Sequence, residues 1–399
     1  MYKMIDVLRN ILQEHDDWRN NCINLSPSES VLSPMVKEAL KSDMGQRYYF
    51  ENSYKVQNGI SYSYHGTKHI AELIKKGEQI AKDLFDVTFA SLYPLSGHMA
   101  VIGAISSLAD KSGTILTYDP MHGGYPGLDK NRMPKYLGFN IEYIPVSLNI
   151  PEKIDLNALH KLINSIHPIA IILSSAHTIF PFPVAEIKAL CGKECLLIYD
   201  ASHPLGLIAG KQFQDPIREG ADVIVAGTQK SFPGPQGGIF LTNDHGDQIR
   251  NVEHFVIVDN PHFNRIAALT IALLEMKLFG KEYASQIIRN TKAIGAFLFE
   301  MGFPIKYQNL GYSEAHMCKI KIFNGYKKFS ETLEASNIII DTAGRIGTNE
   351  MTRLGMKEKE MEQIAKFMKR IYFDREDTEK VKKEVIEFRN CFKDVHYCF

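Results

Sequence analysis

The sequence has little cysteine and almost no tryptophan: six of the first and one of the second among 399 residues. The cysteines, Cys22, Cys191, Cys195, Cys318, Cys391 and Cys398, are too scattered for a disulfide scaffold, and a chain this long buries a large core without staples. A reducing cytoplasm is the expectation. Neither sign of charge is in excess, because 46 basic residues balance 46 acidic ones. That removes the electrostatic footprint of a nucleic-acid or anionic-membrane partner. No run of about eighteen apolar residues is present, which argues against a membrane-spanning helix. The opening segment carries Ile5, Leu8, Ile11 and Leu12 at helical spacing, interrupted by Asp6, Arg9 and Glu14. It reads as an amphipathic helix rather than an export signal. Walker and G-x-G-x-x-G loops are missing, so nucleotide chemistry has no support. His65 and His69 stand one helical turn apart with no evident third ligand, and Cys191 and Cys195 read as core thiols.

The chain does hold an α/β pattern. Short apolar runs near Phe89–Tyr93, Thr114–Tyr118, Ile169–Leu173, Cys195–Tyr199, Val223–Ala226 and Gly238–Leu241 alternate with helical periodicity, as at Gly97–Leu108 and Leu156–Ile166. Such alternation implies a sheet covered on both faces. We expect an N-terminal helix and aromatic-rich arm over 1–68, a large domain over 69–275 and a smaller α+β domain over 276–399. The last of these contains two helical patterns, Arg265–Leu278 running into it and Tyr283–Met301, then short strands near Met317–Ile322 and Asn337–Asp341. A charged helical region closes it, from about Lys357 to Arg389.

Three segments carry residues suited to chemistry. In the first, the apolar run Val223–Ala226 leads through Gly227-Thr228-Gln229 to Lys230 and then a Gly/Pro loop ending in Gly237-Gly238. A lysine held at a strand end is costly as an unpaired ammonium, and a Schiff base relieves that cost; a side chain that snorkels out to solvent fits the same spacing. In the second, another apolar run ends in Asp200-Ala-Ser-His203. A strand-end aspartate is a common turn or cap residue, but it is also the carboxylate that a protonated pyridine nitrogen requires. In the third, a strand gives way to Ser96-Gly97-His98 at a helix start, where a small hydroxyl and backbone N–H groups form an anion site or an ordinary N-cap.

Taken in order, these segments resemble the serine hydroxymethyltransferase family, of the type I (aspartate aminotransferase) fold of pyridoxal-phosphate (PLP) enzymes. The resemblance runs from about Asn24 to Met356. It is carried by Ser28-Glu29-Ser30, Ser96-Gly97-His98, His122-Gly123-Gly124, Asp200-Ala-Ser-His203, Thr228-Gln229-Lys230 with Gly234-Pro-Gln-Gly-Gly238, and Gly344-Arg345-Ile346-Gly347-Thr348. It implies a mostly parallel sheet, PLP carried on Lys230 and Asp200 against the ring nitrogen. It further implies His203 and Ser175 near the phenolic oxygen, and Ser96, Gly97, His98 and Gln229 around the phosphate. Arg345 corresponds to the arginine that grips the amino-acid carboxylate, with Ser28, Tyr49 and Tyr64 on the substrate side and Glu51 handling protons. A homodimer with shared active sites is implied as well.

The departures from the family pattern are informative. Tyr125 stands where the family has a ring-stacking histidine, and Gln229 where it has a histidine before the active lysine. Val258-Asp259-Asn260-Pro261 replaces a glycine-rich loop. The loop before Arg345, which the family uses in its folate region, is cut to Ile338-Ile-Ile-Asp341-Thr-Ala-Gly344. The expected activity is therefore aldol-type cleavage or transfer at Cα–Cβ of a β-hydroxy amino acid, with tetrahydrofolate in doubt. Transamination, racemisation or β-elimination on the same cofactor, and a non-catalytic relative, are the alternatives.

Overall fold

The computed structural model describes residues 2–50, 54–55, 61–62, 64–109, 112–192, 194–322 and 325–399. The chain divides into two compact units. One groups the residues up to Val31 with Ser285–His396, and the other groups Leu32–Ala284 with Tyr397–Phe399.

The larger unit is built on a seven-stranded sheet: β1 (Phe89–Ser91), β2 (Thr114–Thr117), β3 (Asn140–Tyr143), β4 (Ala170–Leu173), β5 (Leu196–Asp200), β6 (Val223–Gly227) and β7 (Gly238–Thr242), in the order β1-β7-β6-β5-β4-β2-β3. β7 runs antiparallel to β1 and β6, and every other pairing is parallel. β4, β6 and β7 are buried at every residue. Their unbroken apolar runs are what a sheet covered on both faces demands. β3 alternates, with Asn140 and Glu142 exposed and Ile141 buried, and lay outside the expected apolar runs because only two of its four residues are apolar. On one face the sheet packs Ala100, Val101, Ala104 and Ile105 of a helix, Gly97–Leu108, against Ile115, Ile172, Ile198, Val225 and Phe240.

The smaller unit joins two strand pairs to a helical core. Ile23–Asn24 runs parallel to Ile338–Ile339, and Met317–Lys319 pairs antiparallel with Arg345–Gly347, setting Arg345 opposite Lys319. Phe303, Phe329, Leu333, Ile346, Met361, Ile364 and Met368 fill the core. The charged region near the C-terminus is two helices, Glu358–Tyr372 and Thr378–Asn390, rather than one.

Two helical patterns separated at Gly280 turn out to be a single helix of 38 residues, Phe263–Glu300. A mid-helix glycine costs about 1 kcal/mol relative to alanine, and the helix runs through it. The close approach there constrains the other partner: a Cβ on Gly210 would lie 2.4 Å from the Gly280 carbonyl oxygen, whereas a Cβ on Gly280 would stay 3.6 Å from the Gly210 Cα.

A buried carboxylate braces the strand that leads to Ser96. Glu253, in a five-residue π-turn, accepts a short hydrogen bond from the Ser91 hydroxyl at the end of β1 and pairs with Arg250 at 3.0 Å. Arg250 also reaches Glu78 at 2.8 Å. Burial outweighs the Arg250 attraction and pushes the Glu253 carboxyl up to about 7. Stability from a carboxyl raised in this way is complete below its unfolded value of about 4.3 and is lost as pH rises through about 7. Glu253→Gln removes this titration. The melting temperature of Glu253→Gln minus that of the wild type is therefore expected to grow more positive between about pH 5 and about pH 8. A difference that stays flat across that range would show that Glu253 is ionised throughout.

Candidate active site

Strand ends in a parallel sheet open toward a ligand on their carboxyl side, and the candidate cofactor residues gather there. Asp200 is the last residue of β5 and is 8% exposed. The Ser174 hydroxyl, one residue beyond β4, donates to its Oδ2 at 2.6 Å, and the Ser202 backbone N–H donates to its Oδ1 at 2.9 Å. The Ser202 hydroxyl in turn accepts from the Gly227 N–H at the end of β6, at 2.8 Å. Three residues further on, Lys230 is half-buried in the turn that leads to β7.

The helix start at Ser96 closes in on the same place. The Ser96 hydroxyl caps the helix by accepting from the Met99 N–H at 3.1 Å. Gly97 is required by proximity, since a Cβ there would lie 2.7 Å from the Gly227 nitrogen and 2.9 Å from the Ser202 hydroxyl oxygen. Gln229 presents a buried Oε1 with no hydrogen-bond partner among the described residues, 3.1 Å from where a Gly227 Cβ would be. A buried acceptor of that kind is rare unless a ligand or water completes it. A strand-end lysine, a buried carboxylate with two donors, a capped helix start closed by glycine, and an orphaned amide together fit a phosphorylated pyridine cofactor.

Tyr125 lies over this cluster. Its backbone N–H donates to the Ser174 carbonyl at 3.4 Å, and its hydroxyl is 3.1 Å from His98 Nδ1, with the two rings edge to face. Burial, and next the Asp200 charge, raise its phenol above the usual tyrosine range. The tight corner that delivers it depends on Gly124, whose Cβ would clash with the Tyr118 carbonyl at 2.1 Å.

The Ser175 hydroxyl donates to the Gly123 carbonyl at 3.1 Å and accepts from the His177 N–H at 3.0 Å, while the neighbouring Ser174 reaches Asp200. His203 is buried, and its carbonyl accepts from the Ser231 hydroxyl, which also receives the Gly206 N–H at 3.1 Å. Tyr49 packs edge-on against Phe263, and Tyr64 is exposed, stacked on Tyr48. In the smaller unit, an Arg345 Nη donates to the Ser28 hydroxyl at 3.3 Å. Glu51 lies outside the described residues.

Two contributors were not found by motif reading: Asp341 acts at a corner formed only on folding, and Arg265 bonds carbonyls remote in sequence. Asp341 binds the Arg345 guanidinium at 2.7 Å. Arg265, 5% exposed, ties together the carbonyls of Leu92 (2.7 Å), Tyr93 (3.1 Å) and Pro261 (2.8 Å). Burial lowers its guanidinium to about 10, a cost that the three carbonyls offset. It thereby fixes the segment that ends in Ser96. Arg265→Met strands those carbonyls, at about 1–3 kcal/mol each. The variant should show a lower melting temperature and at least about tenfold weaker PLP binding, or ~1.4 kcal/mol, by fluorescence titration of the apoenzyme. Arg265→Lys should fall between, and wild-type affinity in Arg265→Met would free the segment from this anchor.

Comparison with known proteins agrees with the fold. The serine hydroxymethyltransferase family model matches residues 3–368. The serine hydroxymethyltransferase of Methanocella arvoryzae is 36% identical, the match covering 96% of this chain and 93% of that one. The Staphylothermus marinus enzyme of the same name is 34% identical over 100% and 94%. The crystal structure of L-threonine transaldolase from Pseudomonas fluorescens in its internal aldimine state superposes with a TM-score of 0.91 at 25% identity, covering 100% of this chain and 94% of that one. The chain belongs to the serine hydroxymethyltransferase family, and it is a PLP-dependent enzyme of the type I fold.

Proposed function

We propose that the protein cleaves or transfers at the Cα–Cβ bond of a β-hydroxy amino acid of the serine and threonine class, without tetrahydrofolate. The observation that carries this reading is the short corner between Ile338–Ile339 and Arg345–Gly347, in the place of the loop that the family uses in its folate region. The likeness to an L-threonine transaldolase over the whole chain supports it.

PLP, when bound, supplies the electron sink that takes up the charge left at Cα. The chain's residues do the rest in this reading. Lys230 would hold the cofactor through its side-chain amine. Asp200, steadied by Ser174 and Ser202, keeps a proton on the ring nitrogen. Ser96, Gly97, His98 and Gln229 hold the phosphate, and Tyr125 covers the ring. Arg345 takes the substrate carboxylate by two donors, a planar task for which lysine is no substitute, with Ser28, Tyr49 and Tyr64 on the substrate side. Glu51 or His203 removes the β-hydroxyl proton, so that the oxygen leaves as an aldehyde carbonyl.

A homodimer belongs to the same reading. Met4, Val7, Leu8, Ile11 and Leu12 of the helix Tyr2–Asn20 are 49–67% exposed, an apolar face that a second copy of the chain would cover. No helix among the described residues is long and apolar enough to cross a membrane. The six cysteines are thiols rather than disulfides, the form that a reducing cytoplasm would keep.

With L-threonine or L-serine and PLP, aldehyde release, followed by coupled reduction, should proceed at the same rate with and without tetrahydrofolate. Release from serine only when tetrahydrofolate is added would contradict the proposal. Solvent deuterium entering Cα with no aldehyde formed would redirect it to racemisation or transamination.

A further inference from the structure

Asp341 and Arg345 lie on the two sides of a corner that connects strand Ile338–Ile339 to strand Arg345–Gly347. Asp341 Oδ1 accepts from the Ala343 N–H at 2.8 Å and from the Arg345 N–H at 3.4 Å, so its carboxylate is part of the turn itself. Oδ2 accepts from Arg345 Nε at 2.7 Å and pairs with an Arg345 Nη at 2.7 Å. The corner has little room to relax. Gly344 sits at φ +70°, where a Cβ would strike the Tyr326 ring at 2.5 Å and the Ile320 carbonyl at 2.8 Å. The Ile320 N–H donates to the Gly344 carbonyl at 3.0 Å, and the Tyr326 hydroxyl donates to the Ile320 carbonyl at 3.1 Å. The two side chains are 12% and 21% exposed, so water competes weakly for the pair.

A guanidinium offers donors along two edges, one containing Nε and one made by the terminal nitrogens. Asp341 takes the edge that contains Nε. The terminal edge is the one that a carboxylate approaches end-on, and its direction is set by whatever holds the other. Two effects of Asp341 oppose each other. It freezes a side chain that would otherwise lose rotamer freedom on binding, and it offsets the charge that attracts a substrate anion. The anchoring of Oδ1 in the backbone turn favours the first, since the carboxylate and the guanidinium move as one body.

We infer that Asp341 is a positioning residue that aims Arg345 at the substrate carboxylate, and that it acts by geometry rather than by charge. The inference rests on the proposed role of Arg345 and goes beyond it, because it makes substrate affinity depend on a side chain that does not touch the substrate.

The test is glycine and L-serine titration of the holoenzyme, read by the change in cofactor absorbance, in Asp341→Ala, Asp341→Asn and Arg345→Ala. Asparagine keeps one of the two acceptors and sets an amide N–H against the donors that the other oxygen served, so it loosens the brace without removing it. Asp341→Ala is expected to raise Kd at least about tenfold with kcat changed less than about threefold, and Asp341→Asn to fall between it and wild type. PLP affinity should be unchanged in both. Unchanged or tighter binding in Asp341→Ala or Asp341→Asn would make the lost charge the larger effect and overturn the inference. If Arg345→Ala binds glycine normally, the role of Arg345 fails and this inference with it. If Arg345→Ala loses binding and Asp341→Ala does not, only the inference fails.

Discussion

A carboxylate buried at the end of a parallel strand is the constraint around which the larger unit is arranged. Asp200 cannot sit there unaided, because a buried carboxylate needs donors. Its neighbours supply them: Ser174 from the strand on one side, and Ser202 from its own loop. Ser202 then holds Gly227 at the end of the next strand, and Gly227 and Ser202 together leave no space for any residue but glycine at position 97. One charged group thus fixes the spacing of three strand ends and a helix start. Lys230, three residues past Gly227, is placed by the same chain of contacts.

Much of this was legible in the sequence because it is local. The runs that end in Asp200 and that precede Lys230 are bounded by polar and glycine residues, and their strands end within a residue or two of where the pattern stops. The Ser96 cap and the helix after it could be read from four or five consecutive residues. Other features depend on the folded chain. The helical patterns Arg265–Leu278 and Tyr283–Met301 join into one helix, which periodicity alone does not show. A strand's alternation does not say which of two adjacent serines just beyond its end turns toward Asp200, and it is Ser174 that does. Arg265 and Asp341 gave no signal at all: the first bonds backbone carbonyls some 170 positions away, and the second matters only once the corner is folded.

Each unit has its own braced polar centre. In the larger, Ser174 and Ser202 hold Asp200; in the smaller, Asp341 and Ser28 bond Arg345.

The central claim is that Lys230 carries the cofactor. Its most direct test is borohydride reduction of the purified protein with PLP, followed by peptide mass mapping. The account predicts a pyridoxyl group on the peptide containing Lys230, with the visible absorbance band lost on reduction and no such label in Lys230→Ala. A label on another lysine, or none with PLP in excess, would contradict it.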